Sequence, residues 1–125
     1  MDTLTLQPTT STPEVRFDAT SGLLVLRGES YPENSLAFYG PILKWVEEFL
    51  DASAVPVKVE LGLTYLNTSS IKSLMDLLDL LEEAHKSDRE VTVTWFYDKD
   101  NDRALEMAEE FREEVTLPFF VVPEE

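Results

Sequence analysis

Polar and apolar residues alternate along several short stretches of the chain, the period of a half-buried β-strand. Thr3 to Leu6 is the first, a short edge strand, and a Thr/Ser/Pro linker from Pro8 to Pro13 follows it. Glu14 to Asp18 places Val15 and Phe17 on one face, Ala19 to Gly22 carries turn chemistry, and Leu23 to Arg27 resumes as a strand. These two runs predict a hairpin closed by a loop of about four residues. Val57, Val59, Leu61 and Leu63 alternate with Lys58, Glu60 and Gly62, predicting a strand to about Leu66. Val91 to Tyr97 is rich in β-branched and aromatic residues, which suit a pleated surface. Phe119 to Val122, just after Pro118, predicts a last short strand.

Between these strands the period lengthens to that of a helix. After Tyr31-Pro32-Glu33-Asn34-Ser35, the side chains of Ile42, Trp45, Val46 and Phe49 share one face as far as about Leu50. Asn34 or Ser35 supplies the capping oxygen. Pro41 either kinks a helix begun near Leu36 or sits at the first turn of a later one; the longer helix with a local bend is the expectation. A second helix spans Ser69 to about Lys86, with Ile71, Leu74, Met75, Leu78 and Leu81 as its core stripe. Leu77, Leu80 and Ala84 widen that stripe on one flank, and Lys72, Asp76, Asp79 and Glu83 hold the opposite side. Asp100 or Asp102 caps a third helix that turns Ala104, Leu105, Ala108 and Phe111 inward. Strands joined through helices lie parallel with right-handed crossovers. The pattern therefore predicts an α/β fold: one domain over residues 1–125, a mixed β-sheet with about three helices mainly on one face.

Composition narrows the function classes. At 125 residues and 14.3 kDa the chain has the size of one domain. With 43% hydrophobic and 10% aromatic residues it can fill one continuous core, so disorder is expected only at the ends. The longest apolar runs are far too short to span a bilayer. The first residues, MDTLTLQPTTSTPEV, lack the basic start and apolar stretch of a signal peptide, and a cytoplasmic location is expected. There is no cysteine, which excludes disulfide and thiol chemistry. The 25 acidic and 10 basic residues give a formal charge of −15, a field that repels phosphate backbones and anionic lipid headgroups. Neither nucleic acid nor a membrane surface is expected as a partner, while a protein with a cationic patch is compatible.

The informative segment is Tyr65-Leu66-Asn67-Thr68-Ser69-Ser70-Ile71, where a predicted strand opens directly into a helix. Asn, Ser and Thr at such a place accept hydrogen bonds from free N–H groups, and ordinary capping accounts for the cluster. The same place suits a phosphoacceptor. A phosphate adds about −1.5 to −2 charges and three acceptor oxygens. The helix start offers unpaired donors and a partial positive charge worth roughly 0.3–1 kcal/mol to an exposed anion. Leu77 and Leu80 on the adjoining flank are either covered by neighbouring helices or form an edge that a partner grips.

Other signals point to structure. Asp98-Lys99-Asp100-Asn101-Asp102, with Glu109 at the twelfth place, mimics a fragment of a calcium loop, yet Arg103 stands where the sharp turn needs Gly. Acidic helix capping explains the cluster better. His85, the only histidine, lies near a helix end where a cation suits the dipole, and no partner for acid–base work is identified. The carboxylates of Glu106 to Glu114 follow a solvated face, and only 4 glycines are scattered through the chain, with no phosphate-cradling loop. No cofactor, metal or catalytic residue is expected.

Leu66-Asn67-Thr68-Ser69-Ser70-Ile71 resembles the phosphorylated strand-to-helix junction of STAS-domain anti-sigma-factor antagonists, with Asn67 where those proteins usually carry Asp. A narrower likeness covers nearly the whole chain. Tyr31-Pro32-Glu33-Asn34-Ser35, Tyr65-Leu66-Asn67-Thr68-Ser69-Ser70, Asp79-Leu80-Leu81-Glu82-Glu83-Ala84-His85 and Glu109-Glu110-Phe111-Arg112-Glu113 together resemble the signature stretches of the SiaC family of regulatory phosphoproteins. That resemblance implies a STAS-like fold and reversible phosphorylation of Thr68. It implies a Ser/Thr kinase with a histidine-kinase-type ATPase fold, an opposing PP2C-type phosphatase, and a diguanylate cyclase that the unphosphorylated form binds and activates. A STAS-type antagonist binding an anti-sigma kinase is the alternative. Tyr31, Glu33, Asn34, Ser35, Asn67, Ser69 and Ser70, with Leu77 and Leu80, are the expected partner surface. Residues 31–35 also serve as a helix cap in this reading, and Ser69 and Ser70 stay open as further phosphate acceptors.

Overall fold

The computed structural model describes residues 1–124. Nine elements follow in order: β1 (Leu4–Leu6), β2 (Glu14–Asp18), β3 (Leu23–Ser30), α1 (Ser35–Ala52), β4 (Val57–Leu66), α2 (Thr68–Lys86), β5 (Val91–Asp98), α3 (Asp102–Glu113) and β6 (Phe119–Glu124). They build one six-stranded mixed sheet whose spatial order, β1-β2-β3-β4-β5-β6, equals the chain order. β1–β2 and the β2–β3 hairpin are antiparallel; the three pairs joined through helices are parallel. Each new strand is added at the same edge. Crossovers of one hand then lay every helix on the same face.

Burial follows that layering. Phe17, Leu24, Leu26, Val59, Leu61, Val93 and Trp95 point under the helices and are fully buried with Ile42, Val46, Phe49, Leu74, Leu78 and Leu81. The alternate positions Arg16, Lys58, Glu60, Thr92 and Thr94 face water on the uncovered side. One apolar face per strand against one layer of helices is what a period of two specifies.

All three helices start with the same device, an asparagine whose Oδ1 accepts a backbone N–H three residues on: Asn34 from Ala37 at 3.1 Å, Asn67 from Ser70 at 2.9 Å, Asn101 from Ala104 at 3.0 Å. For α3 this corrects the expected aspartate cap. Asp98 Oδ1 instead accepts the Asp100 amide at 2.9 Å, and Asp102 becomes the first helical residue, where its charge suits the positive helix end. α1 runs unbroken through Pro41. Pro41 and Ala37, whose carbonyl loses its helical donor to the proline, both lie on the exposed side, where water replaces the missing partner.

Two further corrections concern α2. Its first residue is Thr68, and Ile71 is 38% exposed instead of belonging to the core. Leu77 is 2% exposed, and Leu80 is half-buried among Leu50 and Ala84 in the seam between α1 and α2. Leu77 is therefore covered within the chain and presents nothing to a partner, while Leu80 keeps part of its surface in a cleft beside that seam.

β3 continues past the expected end at Arg27 to Ser30. Its pairing with β4 slips between Gly28 and Glu29, where Gly28 adopts φ 124°, a conformation L side chains rarely reach. Across the slip Gly28 faces Leu63 and Glu29 faces Tyr65, so β4 carries one extra residue, Thr64. Such a bulge re-aims the side chains that follow it. Ser30 consequently comes beside Leu66 at the mouth of α2.

Glu82 ties α2 to the loop before β6. Its carboxylate accepts the Thr116 hydroxyl at 2.7 Å, the Thr116 amide at 2.9 Å and the Leu117 amide at 3.1 Å. Partial burial pushes its pKa up, but these donors and Lys86 outweigh that and hold it below the usual glutamate value. A group with a lowered folded pKa contributes stability above its unfolded pKa and loses it as the pH falls through the folded one. Glu82→Gln is expected to lower stability by about 1–2 kcal/mol at pH 7. Urea titrations against pH should find the gap to the unaltered chain closing below roughly pH 4.3, the ordinary glutamate value.

Candidate functional site: the β4–α2 junction

A chain of hydroxyls fixes the first turn of α2 to the sheet. Ser70 is 0% exposed, and its Oγ lies 2.8 Å from Ser30 Oγ, which is itself 2.6 Å from the hydroxyl of Tyr39 on α1. The Ser30 carbonyl accepts the Asn67 amide at 2.9 Å. Burial raises the Tyr39 pKa, and the Ser30 and Ser70 hydroxyls pull it back only partially. The cluster ties β3, α1 and α2 together through buried hydroxyl contacts.

Nearer the surface a second chain ties α2 to the start of α1. Ser69 Oγ is 2.6 Å from Ser35 Oγ and donates to Asn67 Oδ1 at 3.3 Å. Ser35 is 8% exposed. Ser35 and Ser70 are thus largely withdrawn from solvent, a correction to their expected place on a partner surface. Asn67 is half-buried and serves as the cap, whereas Glu33, Asn34 and Ser69 are exposed.

Thr68 is exposed at the first position of α2. No acidic residue stands in that first turn, so the positive end of the helix carries no compensating carboxylate of its own. The cap engages the Ser70 amide and the Asn67 carbonyl engages that of Ile71, which leaves the Thr68 and Ser69 amides without an intrahelical acceptor. The junction can thus hold an anion on Thr68 without rearranging the fold.

The surroundings are apolar. Exposed large hydrophobic side chains are Met1, Tyr31, Leu36, Tyr65, Ile71 and Phe120, and four of these six ring the junction. Tyr31 and Tyr65, 40% and 52% exposed, meet edge-to-face with ring centroids 5.9 Å apart. Leu36, 83% exposed, follows Ser35, and Ile71 lies one turn beyond Thr68. A furrow of about 310 Å³ continues from Tyr65 and Ile71 to Met107 on α3. Exposed apolar clusters of this kind mark protein-binding surfaces.

Pattern reading placed Tyr31 here but missed Leu36, Tyr65 and Ile71. One signal was available. Leu63 and Leu66 are both apolar three residues apart, which breaks the alternation of β4 and betrays the bulge that turns Tyr65 outward. Among the described residues, no group of three or more His, Cys, Asp or Glu is placed to hold a metal ion. His85 is half-buried in the last turn of α2, whose carbonyls at Glu83, Ala84 and His85 accept the backbone N–H groups of the turn that follows.

A hydroxyl-bearing helix start, locked from beneath and rimmed by exposed aromatic and aliphatic groups, is the architecture of a protein-docking module. The family model described as SiaC family regulatory phosphoprotein matches residues 6–124, and the chain belongs to that family. It is 49% identical over 121 residues to an uncharacterised protein of Pseudomonas aeruginosa strain UCBPP-PA14, a match covering 97% of this chain and 96% of that protein. The crystal structure of apo-SiaC from Pseudomonas aeruginosa superposes with a TM-score of 0.93 at 47% identity, covering 98% of this chain and 99% of that one. A chain in the crystal structure of the diguanylate cyclase SiaD in complex with its activator SiaC, from the same organism, matches with a TM-score of 0.94 at 48% identity. That match covers 97% of this chain and 99% of the other.

The cap should be measurable. Asn67→Ala is expected to cost about 1 kcal/mol in urea unfolding, and Asn67→Asp should retain most of the stability because its carboxylate still accepts the Ser70 amide.

Proposed function

We propose that this chain is a phosphorylation-controlled activator of a diguanylate cyclase. Its bare form docks on the cyclase, and phosphorylation of Thr68 releases it. The observation that carries this reading is an exposed threonine hydroxyl at a helix start, surrounded by the exposed apolar groups Tyr31, Leu36, Tyr65 and Ile71. The 48% identity to a chain of a cyclase–activator complex supports the choice of partner.

The switch needs no catalysis by the chain itself. A Ser/Thr kinase with a histidine-kinase-type ATPase fold brings ATP. Thr68 Oγ1 bonds to the γ-phosphorus, the bridge to ADP breaks, and the hydroxyl proton passes to a base of the kinase. A PP2C-type phosphatase reverses the state by hydrolysis, returning the hydroxyl and inorganic phosphate. The free amides and positive end of α2 tolerate the dianion in the isolated chain. In a complex the dianion would be pressed against the apolar rim and stripped of water, a cost that the exposed amides of the helix start only partly offset. The kinase and the phosphatase act on this chain, and the chain acts on the cyclase, in the cytoplasm, where ATP is available.

Incubation with the kinase and ATP, followed by mass spectrometry, should place the phosphate on Thr68, and Thr68→Ala should take none while unfolding at the same urea concentration as the unaltered chain. Thr68→Asp should weaken capture of the cyclase by about ten- to a hundredfold, the cost of burying an unpaired charge. Full cyclase capture by Thr68→Asp, or capture of an anti-sigma kinase in its place, would contradict the proposal.

A further inference from the structure

Three consecutive hydroxyls, Thr68, Ser69 and Ser70, open α2, and the helix turn points each in a different direction. Their chemical environments differ sharply. Ser70 is sealed beneath the surface against Ser30, so no phosphate could be placed there without opening the core. Ser69 is exposed as a residue, yet its oxygen is occupied on both sides. The assignment that satisfies both contacts has Ser35 donating to Ser69 at 2.6 Å and Ser69 donating to Asn67 Oδ1 at 3.3 Å. Its proton and one of its two lone pairs are therefore engaged, leaving a single lone pair. Thr68 makes no side-chain hydrogen bond among the described residues and is solvent-exposed.

We infer that the Ser35–Ser69 hydrogen bond is the device that selects the phosphoacceptor: by holding Ser69 in place, Ser35 confines phosphoryl transfer to Thr68. This rests on the phospho-switch reading and adds to it the reason one hydroxyl is chosen over its neighbour. Attack on ATP needs a free lone pair in line with the γ-phosphorus, a proton that can leave to the kinase's base, and room for three phosphate oxygens. Transfer to Ser69 would form the Oγ–phosphorus bond, break the bridge to ADP, and force Ser35 away from its 2.6 Å contact. The same contact joins the first turns of α1 and α2, so a phosphate on Ser69 would also push these helix starts apart. Thr68 carries the modification at no such structural cost. Ser35 is thus a positioning residue, acting through Ser69 and Asn67 without touching the transferred group.

The test is site-resolved mass spectrometry of the full chain after incubation with the partner kinase and ATP. The unaltered chain should carry phosphate almost entirely on Thr68, with Ser69 a minor trace. Ser35→Ala should raise Ser69 occupancy by roughly three- to tenfold, the factor that one net hydrogen bond corresponds to. Ser35→Ala combined with Thr68→Ala should still be labelled, now on Ser69. Ser35→Thr, which keeps a hydroxyl, should restore Thr68 as the dominant acceptor, a rescue that a loss of stability alone would not produce. Labelling of Thr68 in every chain that retains it, with Ser69 silent in both Ser35→Ala chains, would overturn the selection device and leave the phospho-switch standing. Absence of phosphate on Thr68 in the unaltered chain would overturn both.

Discussion

The structure depends on a buried polar contact that looks dispensable: Ser70 bonded to Ser30, and Ser30 to Tyr39. Buried hydroxyls cost free energy unless each finds a partner, and here three from β3, α1 and α2 satisfy one another. An all-apolar contact could have held the helix with comparable strength. It would not have fixed its rotation, because apolar packing is far less directional than a hydrogen bond. With α2 pinned at its first turn, Thr68 must face water and Ile71 must lie beside it on the rim.

The sheet order supplies the rest of the geometry. Strands added one after another at a single edge leave one face bare and stack all helices on the other. The starts of α1 and α2 follow adjacent parallel strands, β3 and β4, and so emerge side by side. That adjacency lets Ser35 reach Ser69 and brings Tyr31 against Tyr65. The bulge at Gly28 and Thr64 then turns Tyr65 from a core residue into a surface one. Local irregularity at the end of an otherwise regular strand pair creates the apolar rim.

Much of this was readable from the chain. Alternation and β-branched or aromatic runs found the strands, and the helical period found the three helices, because each buries one face against a single layer. The ends were less legible. β3 was expected to stop at Arg27, since Gly28-Glu29-Ser30 has the composition of a turn; only pairing with β4 carries it on to Ser30. The α3 cap fell to Asn101 instead of Asp100 or Asp102, a choice among neighbours of similar chemistry that backbone direction decides. At the site, residue type and family resemblance pointed to Thr68 and its neighbours. Sequence could not tell that Ser70 and Leu77 are buried, because that depends on where β3 and α1 lie, Ser70 meeting Ser30 of β3 across 40 residues. The same non-local contacts hid the different surroundings of Thr68, Ser69 and Ser70.

The picture that emerges is a rigid platform whose docking face changes in one atom group. On the proposed reading the core, the caps and the α1–α2 seam stay unchanged by phosphorylation, and only the hydration of the Thr68 side chain differs. Affinity for the cyclase, compared between the bare chain and the chain carrying phosphate on Thr68 by titration calorimetry in one buffer, tests this most directly. The account predicts binding at least about tenfold weaker for the phosphorylated chain, from the cost of stripping water from a dianion that only the helix start partners. Equal affinity of the two forms would contradict it.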